Sequence, residues 1–406
     1  MKLRPLSLAS IGGVLVALTA AMTSGAPAAL KSSTISPILK SAASSKTLAN
    51  PGLILVDPVT GETIFENDAD SLRMPASLLK IFSAAALLDY LTPDYRFTTE
   101  ILTGAESNTL IIAGSLDPWM ERNNTLATKM GRVSLPKIVK TALKKLDSDN
   151  GSPIKTLRIE YSKMHSVDLD FIKAQFVARN IKVTTAKVTS AEAYLYSKES
   201  IAKFQSPPLQ QIMDWMLLWS DNTLGNRMAM HASMKAGFGY AESGIEKTFI
   251  KTLDNLEIDS TGLNAVDGSG LSRSNRVSTE MLAQLLLKTY DNDKYRTIYG
   301  GLPVGGINGT MRNRFVTSAP KAIGLVRTKT GSLTGVVSMA GYVQGGDHEY
   351  IFVAIADEIP KNRTAAKAAR VALDKVLAKF AKPVPGISPS PSSVIQSPEA
   401  NPSISN

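Results

Sequence analysis

Three short strings constrain the fold and chemistry of this chain more than any other feature. They are Ser77-Leu-Leu-Lys80, Ser220-Asp-Asn222 and Lys329-Thr-Gly331, in that order over roughly 250 residues. The strings contain the parts of an acyl-transfer site. The first has a hydroxyl with a lysine one helical turn away, the second has a hydroxyl and an amide, and the third has another lysine. They would supply a nucleophile, its base, a proton relay and a cation for a carboxylate. The fold is therefore expected to bring three distant segments together around one cleft.

The composition excludes several other kinds of site. The 406 residues are 44% hydrophobic and 20% charged, which is enough for two domains with cores of their own. The chain has no cysteine, which excludes disulfides, thiol redox chemistry and a cysteine nucleophile. The three histidines are spaced unlike zinc ligands, so we expect neither a metal nor a cofactor.

Both ends are predicted to lie outside the folded part. Residues 1–28 combine a positive start, a short apolar run and a small-residue cleavage site, and they predict a signal peptide. A retained membrane anchor is the alternative, but the apolar run falls short of the ~18 residues that spanning requires. Residues 29–46 are Ser/Ala-rich and predict a linker, and the Pro/Ser-rich residues 383–406 predict a disordered tail. The expected location is secreted: extracellular, in the cell wall, or on the periplasmic side of a bacterial membrane.

The formal net charge of +10 indicates which kinds of molecule the protein could bind. A basic exported protein would be drawn to anionic cell-wall polymers, although a generally solvated basic surface explains the charge equally well. Nucleic acid would be out of reach of such a protein and is not expected as a partner. The sequence does not predict an oligomeric state.

Between the ends, the pattern predicts an α/β (α+β) fold in two parts. Residues 47–96 and 206–382 are predicted to form the catalytic domain, an antiparallel sheet flanked by helices. Residues 97–205 alternate strands with helices and predict an inserted α/β module. Ser206-Pro207-Pro208 punctuates its end.

The first string must be separated from four similar ones. Tetrapeptides of the form Ser-x-x-Lys begin at Ser77, Ser134, Ser152, Ser200 and Ser318. Only Ser77 begins an apolar helix that Pro75-Ala76 introduces, and a helix would place Lys80 on the same face one turn later. Burial among apolar neighbours would favour the neutral amine, which can act as a base. The alternative is a capping serine with a surface lysine.

The other two strings also have ordinary structural interpretations. Ser148-Asp-Asn150 duplicates the second string but precedes a glycine, which predicts a turn. Ser220-Asp-Asn222 joins two helical segments and could be a plain helix cap. Lys329-Thr-Gly331 occurs once, at the start of an apolar strand whose edge could bind an extended peptide. An edge strand that opens with a solvated lysine is the alternative there.

With its flanking segments, the trio resembles penicillin-binding protein 4-like D-alanyl-D-alanine carboxypeptidases, peptidase family S13. The matches cover most of residues 50–345 outside the insert. They include Pro58 to Gly61 through Arg73 to Lys80, Leu91 to Thr99, Gly114 to Pro118, Ser206 to Leu209, Asp267 to Arg273, Leu302 to Val304 and Lys329 to Val343. The chain departs from the family in three ways. Its insert is shorter, Leu-Gly-Asn-Arg227 stands where the family usually has an acidic residue, and Ser332 replaces a threonine.

The resemblance implies a penicillin-recognising serine transpeptidase/β-lactamase-like domain and assigns roles to residues. Ser77 would be the acylated nucleophile and Lys80 its base; Ser220 would relay a proton to the leaving D-alanine; Asn222 would hold the substrate amide. Lys329 and Thr330 would bind the terminal carboxylate. The remaining substrate-binding candidates are Gly331, Ser332, Asp267, Ser269 and Arg273. For Asp267 to Arg273, a tight glycine turn capped by the aspartate is an equally good interpretation.

The implied function is a secreted serine-type D-Ala-D-Ala carboxypeptidase, possibly also an endopeptidase, acting on peptidoglycan stem peptides and inhibited by β-lactam antibiotics. One alternative is a serine β-lactamase, which is disfavoured because the chain has no convincing Glu-x-x-Leu-Asn segment to position a deacylating water. Another is a peptidoglycan-binding pseudoenzyme, which the intact strings disfavour.

Overall fold

The computed structural model describes residues 32–346 and 348–384. The predicted signal peptide, residues 29–31 of the predicted linker and residues 385–406 of the predicted tail lie outside the described residues. No helix in the described ranges has the length and apolar character needed to cross a bilayer.

The described chain has a mixed α/β architecture, which confirms the predicted fold class. Its helices are α1 Ser32–Ala43, α2 Leu79–Leu88, α3 Asn124–Met130, α4 Leu135–Asn150, α5 Ser166–Val177, α6 Ser190–Leu195, α7 Leu209–Trp219, α8 Asn222–Ala236, α9 Ile245–Asn255, α10 Thr279–Tyr290, α11 Arg296–Gly301 and α12 Arg363–Ala378. Its strands are β1 Gly52–Val56, β2 Thr63–Asn67, β3 Thr98–Gly104, β4 Thr109–Ala113, β5 Thr156–Ser162, β6 Lys182–Lys187, β7 Ser197–Gln205, β8 Val326–Leu333, β9 Val336–Gln344 and β10 Glu349–Ala356.

The first sheet is fully antiparallel, in the order β2-β1-β10-β9-β8. Helices cover both of its faces: α2 and α7 to α11 pack on one face, and α1 and α12 on the other. Strands covered on both faces are expected to be apolar throughout, and β9 and β10 are buried at nearly every position. β8 is left at the edge of the sheet.

The helix α1 replaces most of the predicted linker. Ile35, Leu39 and Ala42 are buried in the core beneath β1 and α12, although the segment is rich in serine and contains Pro37. Their spacing of four and three residues places them on one helical face. The linker prediction was wrong for these residues because it weighed composition and not that spacing.

The second sheet lies within the segment predicted as an insert. Its order is β6-β5-β4-β3-β7, with parallel pairing of β4, β5 and β6 and antiparallel pairing of β3 with β4 and β7. It has an apolar core of its own, to which α4 and α5 contribute. Ser206 follows the last residue of this segment, and its hydroxyl accepts a hydrogen bond from the backbone N–H of Phe97, at the start of the segment, at 2.9 Å.

Candidate active site

The three strings meet at the edge of the first sheet. The Lys80 Nζ lies 3.0 Å from the Ser77 Oγ and 2.8 Å from the Asn222 Oδ1, which joins the first string to the second. The Lys329 Nζ lies 2.9 Å from the Ser220 Oγ, which joins the third string to the second. The sequence predicted that these segments would share one cleft, and in the structure each of these five predicted residues lies within hydrogen-bonding distance of at least one of the others.

Ser77 lies in a constrained turn at the start of α2. Residues Ala76–Leu78 form a short 3₁₀ turn, and Ala76 has a φ of 50°, which is uncommon for a residue with a side chain. Gly270 and Gly331 flank this turn so closely that a Cβ on either would collide with the backbone of residues 75–76. The turn is thus clamped from two sides, which fixes where the Ser77 hydroxyl points.

The segment before the turn is held by ionic contacts. The Arg73 guanidinium is buried and pairs with the carboxylates of Asp68 and Asp357. Asp357 also accepts the backbone N–H of Met74 at 3.0 Å. These contacts tie the chain leading into the turn that contains Ser77 to the residue that follows β10.

Lys80 is completely buried and has three hydrogen-bond acceptors. Besides Ser77 and Asn222, its ammonium donates to the carbonyl oxygen of Ser269 at 2.6 Å. Burial lowers the pKa of Lys80 to about 7, against the opposing effect of the Asp221 and Asp267 carboxylates. A substantial fraction of this amine is therefore neutral near pH 7 and can accept a proton from Ser77.

The second string forms the junction of α7 and α8. Ser220 has a left-handed φ of 60° and ends α7, and the Asp221 carboxylate caps α8 by accepting the backbone N–H of Leu224 at 2.9 Å. Asn222 is the first residue of α8. The helix-cap interpretation is therefore correct for Asp221, while Ser220 and Asn222 reach the two lysines.

Lys329 is also completely buried, on the inward-facing side of β8. Its ammonium donates to the Ser220 Oγ and, at 2.9 Å, to the carbonyl oxygen of Thr330. Burial, with a further contribution from the nearby Lys80, lowers the pKa of Lys329 well below its usual value. This burial argues against the alternative of a solvated edge lysine.

Thr330 and Ser332 lie on the opposite side of β8 from Lys329, because side chains alternate along a strand. The Thr330 Oγ1 lies 3.1 Å from the Thr310 Oγ1, and the Ser332 Oγ accepts a hydrogen bond from the Arg370 guanidinium at 2.8 Å. Thr310 and Arg370 carry no motif, so the sequence offered no signal for either. They reach β8 from the 3₁₀ turn at residues 309–311 and from α12.

The segment from Asp267 to Arg273 forms the capped turn that was one of its two interpretations. The Asp267 carboxylate accepts backbone N–H groups from Ser269, Gly270 and Ser272 at 2.6–2.7 Å. Burial opposes its ionisation, but these hydrogen bonds hold the pKa of Asp267 below its usual value. The turn also presents the Ser269 carbonyl to Lys80. Arg273 donates to the carbonyl oxygen of Thr334 at 2.9 Å, beyond the end of β8.

Two cavities flank the start of α8. One, of about 550 Å³, lies between α8 and the capped turn, and Asn222, Asp267 and Ser269 are among its lining residues. The other, of about 660 Å³, lies between α8 and the insert, where Trp119, Asp168 and Trp215 are among the lining residues. The segment predicted as an insert therefore forms one wall of a space that begins at Asp221, a contribution that the sequence did not indicate.

Comparisons with known proteins agree with this arrangement. The sequence model of a family described as "D-Ala-D-Ala carboxypeptidase 3 (S13) family" matches residues 36–146 and 154–380. Carboxypeptidase DacB of Mycolicibacterium smegmatis is 28% identical, over 79% of this chain and 80% of that protein. A D-alanyl-D-alanine carboxypeptidase of Actinomadura is 32% identical, over 38% of this chain and 29% of that protein.

Among solved structures, penicillin-binding protein 4 of Haemophilus influenzae has a TM-score of 0.64 at 16% identity, covering 85% of this chain and 99% of that one. Bd3459, a predatory endopeptidase of Bdellovibrio bacteriovorus, has a TM-score of 0.56 at 16% identity, covering 81% and 92%. At these identities the likeness concerns the fold, and it confirms the penicillin-recognising architecture expected from the sequence.

Proposed function

The chain belongs to the D-Ala-D-Ala carboxypeptidase 3 (S13) family and is a serine-type D-Ala-D-Ala carboxypeptidase, and we propose that it works through an acyl-enzyme on Ser77. The observation that carries this proposal is the 3.0 Å separation of the buried Lys80 Nζ from the Ser77 Oγ. A nucleophile within hydrogen-bonding reach of a partly neutral amine is the arrangement that activates a serine.

In the first step, neutral Lys80 accepts the Ser77 proton while the Ser77 Oγ attacks the carbonyl carbon between the two D-alanines. The C–N bond breaks, and the leaving amine takes up a proton. Lys80 returns the proton through Ser220, whose hydroxyl is hydrogen-bonded to Lys329. In the second step, water cleaves the ester, restores the Ser77 hydroxyl and releases the shortened peptide.

Substrate recognition is assigned to the residues around this centre. Asn222, whose Oδ1 binds Lys80, has its amide NH₂ available for the carbonyl of the substrate backbone. Thr330 and Ser332 present hydroxyls at the exposed edge of β8, where the terminal carboxylate would lie. Asp267 acts through the Ser269 carbonyl and does not itself reach the reacting atoms.

The substrates we propose are peptidoglycan stem peptides, with β-lactams as inhibitors that acylate Ser77. Solved structures of the H. influenzae protein and of Bd3459 contain, respectively, a bound β-lactam and a penicillin G acyl group. The likeness to Bd3459 also motivates a proposed endopeptidase activity on cross-linked peptides. We propose that the enzyme acts on such polymers outside the cytoplasmic membrane, where anionic wall polymers would attract its basic surface.

The test is incubation of the purified protein with a stem pentapeptide and with a cross-linked dimer, followed by mass analysis. Loss of one D-alanine from the pentapeptide is expected, and cleavage of the dimer would show the endopeptidase activity. Ser77→Ala should abolish both reactions, whereas Ser200→Ala, which alters another Ser-x-x-Lys serine on β7, should change neither. Activity that survives in Ser77→Ala would refute the nucleophile assignment.

A further inference from the structure

A cationic side chain with no role in the proposed bond-breaking steps lies beside the exposed edge of β8. Arg370, on α12, donates a hydrogen bond of 2.8 Å to the Ser332 Oγ. Ser332 is exposed, Arg370 is partly buried, and the two lie 38 residues apart in sequence. The contact joins the closing helix of the fold to the strand that carries Lys329-Thr-Gly331.

The direction of this hydrogen bond determines what the Ser332 hydroxyl can do. A guanidinium has donors and no acceptor, so the Ser332 oxygen must accept. The hydroxyl hydrogen of Ser332 is then left to point to another acceptor. Thr330 lies two residues earlier on the same side of β8, so both hydroxyls face the same side of the strand. Together they form a pair of donors suited to a carboxylate.

A further cation at this position would add to the positive charge of the cleft. Lys80 and Lys329 are both fully buried, burial lowers the pKa of each, and Lys80 further lowers the pKa of Lys329. A second cation would therefore add to the charge that Lys329 offers the terminal carboxylate of a substrate. A guanidinium stays protonated in proteins, even where burial and the nearby Arg314 lower the pKa of Arg370.

The positive charge of Arg370 is not neutralised by a carboxylate in the part of the chain that the structure describes. Its neighbour Arg314 is neutralised by the buried carboxylate of Asp374. Arg370, in contrast, forms no ion pair with any carboxylate of residues 32–346 and 348–384. A cation that lacks a protein anion beside an open strand edge is suited to an anionic ligand.

We propose that Arg370 and the Ser332 hydroxyl that it orients select substrates with a free terminal carboxylate. This inference rests on the proposed function, because it assigns the carboxylate end of that same site. Arg370 is a specificity-determining residue here: it acts on the carboxylate through Ser332 and through its own charge, and takes no part in the bond-breaking steps.

A purely structural role is the competing explanation, in which Arg370 fastens α12 to β8. The two explanations differ in their dependence on substrate charge. A lost fastening would impair all substrates alike, whereas a lost carboxylate site would impair only substrates that carry the negative charge.

The experiment compares a stem pentapeptide with the same peptide ending in a carboxamide. Benzylpenicillin and its methyl ester form a second charged and neutral pair, read as acylation rates by intact mass. Arg370→Gln should lower kcat/KM for the free acid about 10- to 100-fold, the range expected when a hydrogen bond to a charged group is lost. The neutral substrate of each pair should change less than about threefold. Arg363→Gln, an exposed arginine on the same helix, is the matched control and should change neither.

Ser332→Ala should reproduce the selective loss, and the double variant should lose little more than either single one because the two residues act together. If Arg370→Gln fails to fold, Ser332→Ala and Arg370→Lys decide the matter, and Arg370→Lys should keep part of the preference. An unchanged ratio of free acid to neutral substrate in the folded variants would overturn the inference alone. A wild-type protein that neither cleaves peptides nor reacts with penicillin would overturn the proposed function as well.

Discussion

At the scale of single residues, the proposed chemistry depends on how the surroundings of Lys80 set its charge. Burial disfavours the ammonium and lowers its pKa to about 7, while Asp221 and Asp267 favour it. The nearby Lys329 also has a lowered pKa, because it is buried and because Lys80 disfavours its charged form. The form of Lys80 that acts as the base is the neutral one, so acylation is expected to rise as the pH increases through about 7.

Asp221→Asn tests this assignment through the direction of a pH shift. Asparagine caps a helix as well as aspartate does, so α8 should persist, but the negative charge is lost. Because that charge raises the pKa of Lys80, its removal lowers the pKa, and the rising limb of the pH–rate profile should move to lower pH. The measurement is the rate of penicillin acylation from pH 5 to 9.

The matched control is Asp254→Asn, which removes an exposed carboxylate on α9 and should leave the profile in place. If the rising limb of the pH–rate profile of Asp221→Asn stays at the wild-type pH, or moves to higher pH, the assignment of Lys80 as the base is contradicted.

The local strings could be predicted from sequence because their chemistry lies within a few residues. The preceding proline and the apolar helix behind it separated Ser77 from four similar serines. What the sequence could not supply was a contact such as Arg370 with Ser332, since the side chains that meet there belong to segments without any motif. The sequence also could not decide whether Asp267 to Arg273 forms a capped turn or contacts the substrate. In the structure the Asp267 carboxylate caps the turn, and the Ser269 carbonyl of the same turn accepts a hydrogen bond from Lys80.

At the scale of secondary-structure elements, α7 carries a buried group that the proposed chemistry does not use. Asp214 is mostly buried where α7 packs on α11, its Oδ1 has no hydrogen-bond partner, and burial raises its pKa to about 7. A carboxyl whose pKa is raised by folding stabilises the protein at low pH, and this contribution is lost as the pH rises through about 7.

Asp214→Asn should therefore stabilise the protein increasingly as the pH rises from 5 to 8. Between pH 5 and pH 8 the gain is expected to grow by on the order of 3 kcal/mol, because about two pH units of this range lie below the raised pKa of about 7 and each unit corresponds to about 1.4 kcal/mol. Thermal melting of the variant and wild type across this range measures it, with the exposed Asp254→Asn as control. A difference in melting temperature that does not vary with pH would contradict the prediction.

The helix α1 gives a second prediction at this scale. Leu39 is fully buried between α1 and the sheet, so Leu39→Ala should cost about 2–5 kcal/mol of the free energy of unfolding. Lys40→Ala changes the exposed neighbouring residue and should cost little. Denaturant unfolding of both variants is the measurement. Equal stability of the two would mean that α1 does not pack as described and that the linker interpretation was correct.

At the scale of the whole molecule, the sheet order explains how three distant strings come to share one cleft. β8 lies at the edge, next to the central strands, and the turn that opens α2 packs against β8 and β9. The junction of α7 and α8 then closes the site from the side of the insert. The hydrophobic pattern predicted the elements and the fold class, but it could not give this order, because strand pairing depends on contacts between segments far apart in sequence.

The measurement that tests the central claim most directly is intact-mass and peptide mapping of the protein after exposure to benzylpenicillin. One penicilloyl group per chain is expected, on the peptide that contains Ser77, with no adduct in Ser77→Ala and a normal adduct in Ser200→Ala. An adduct on any other serine, or one that persists in Ser77→Ala, would contradict the central claim.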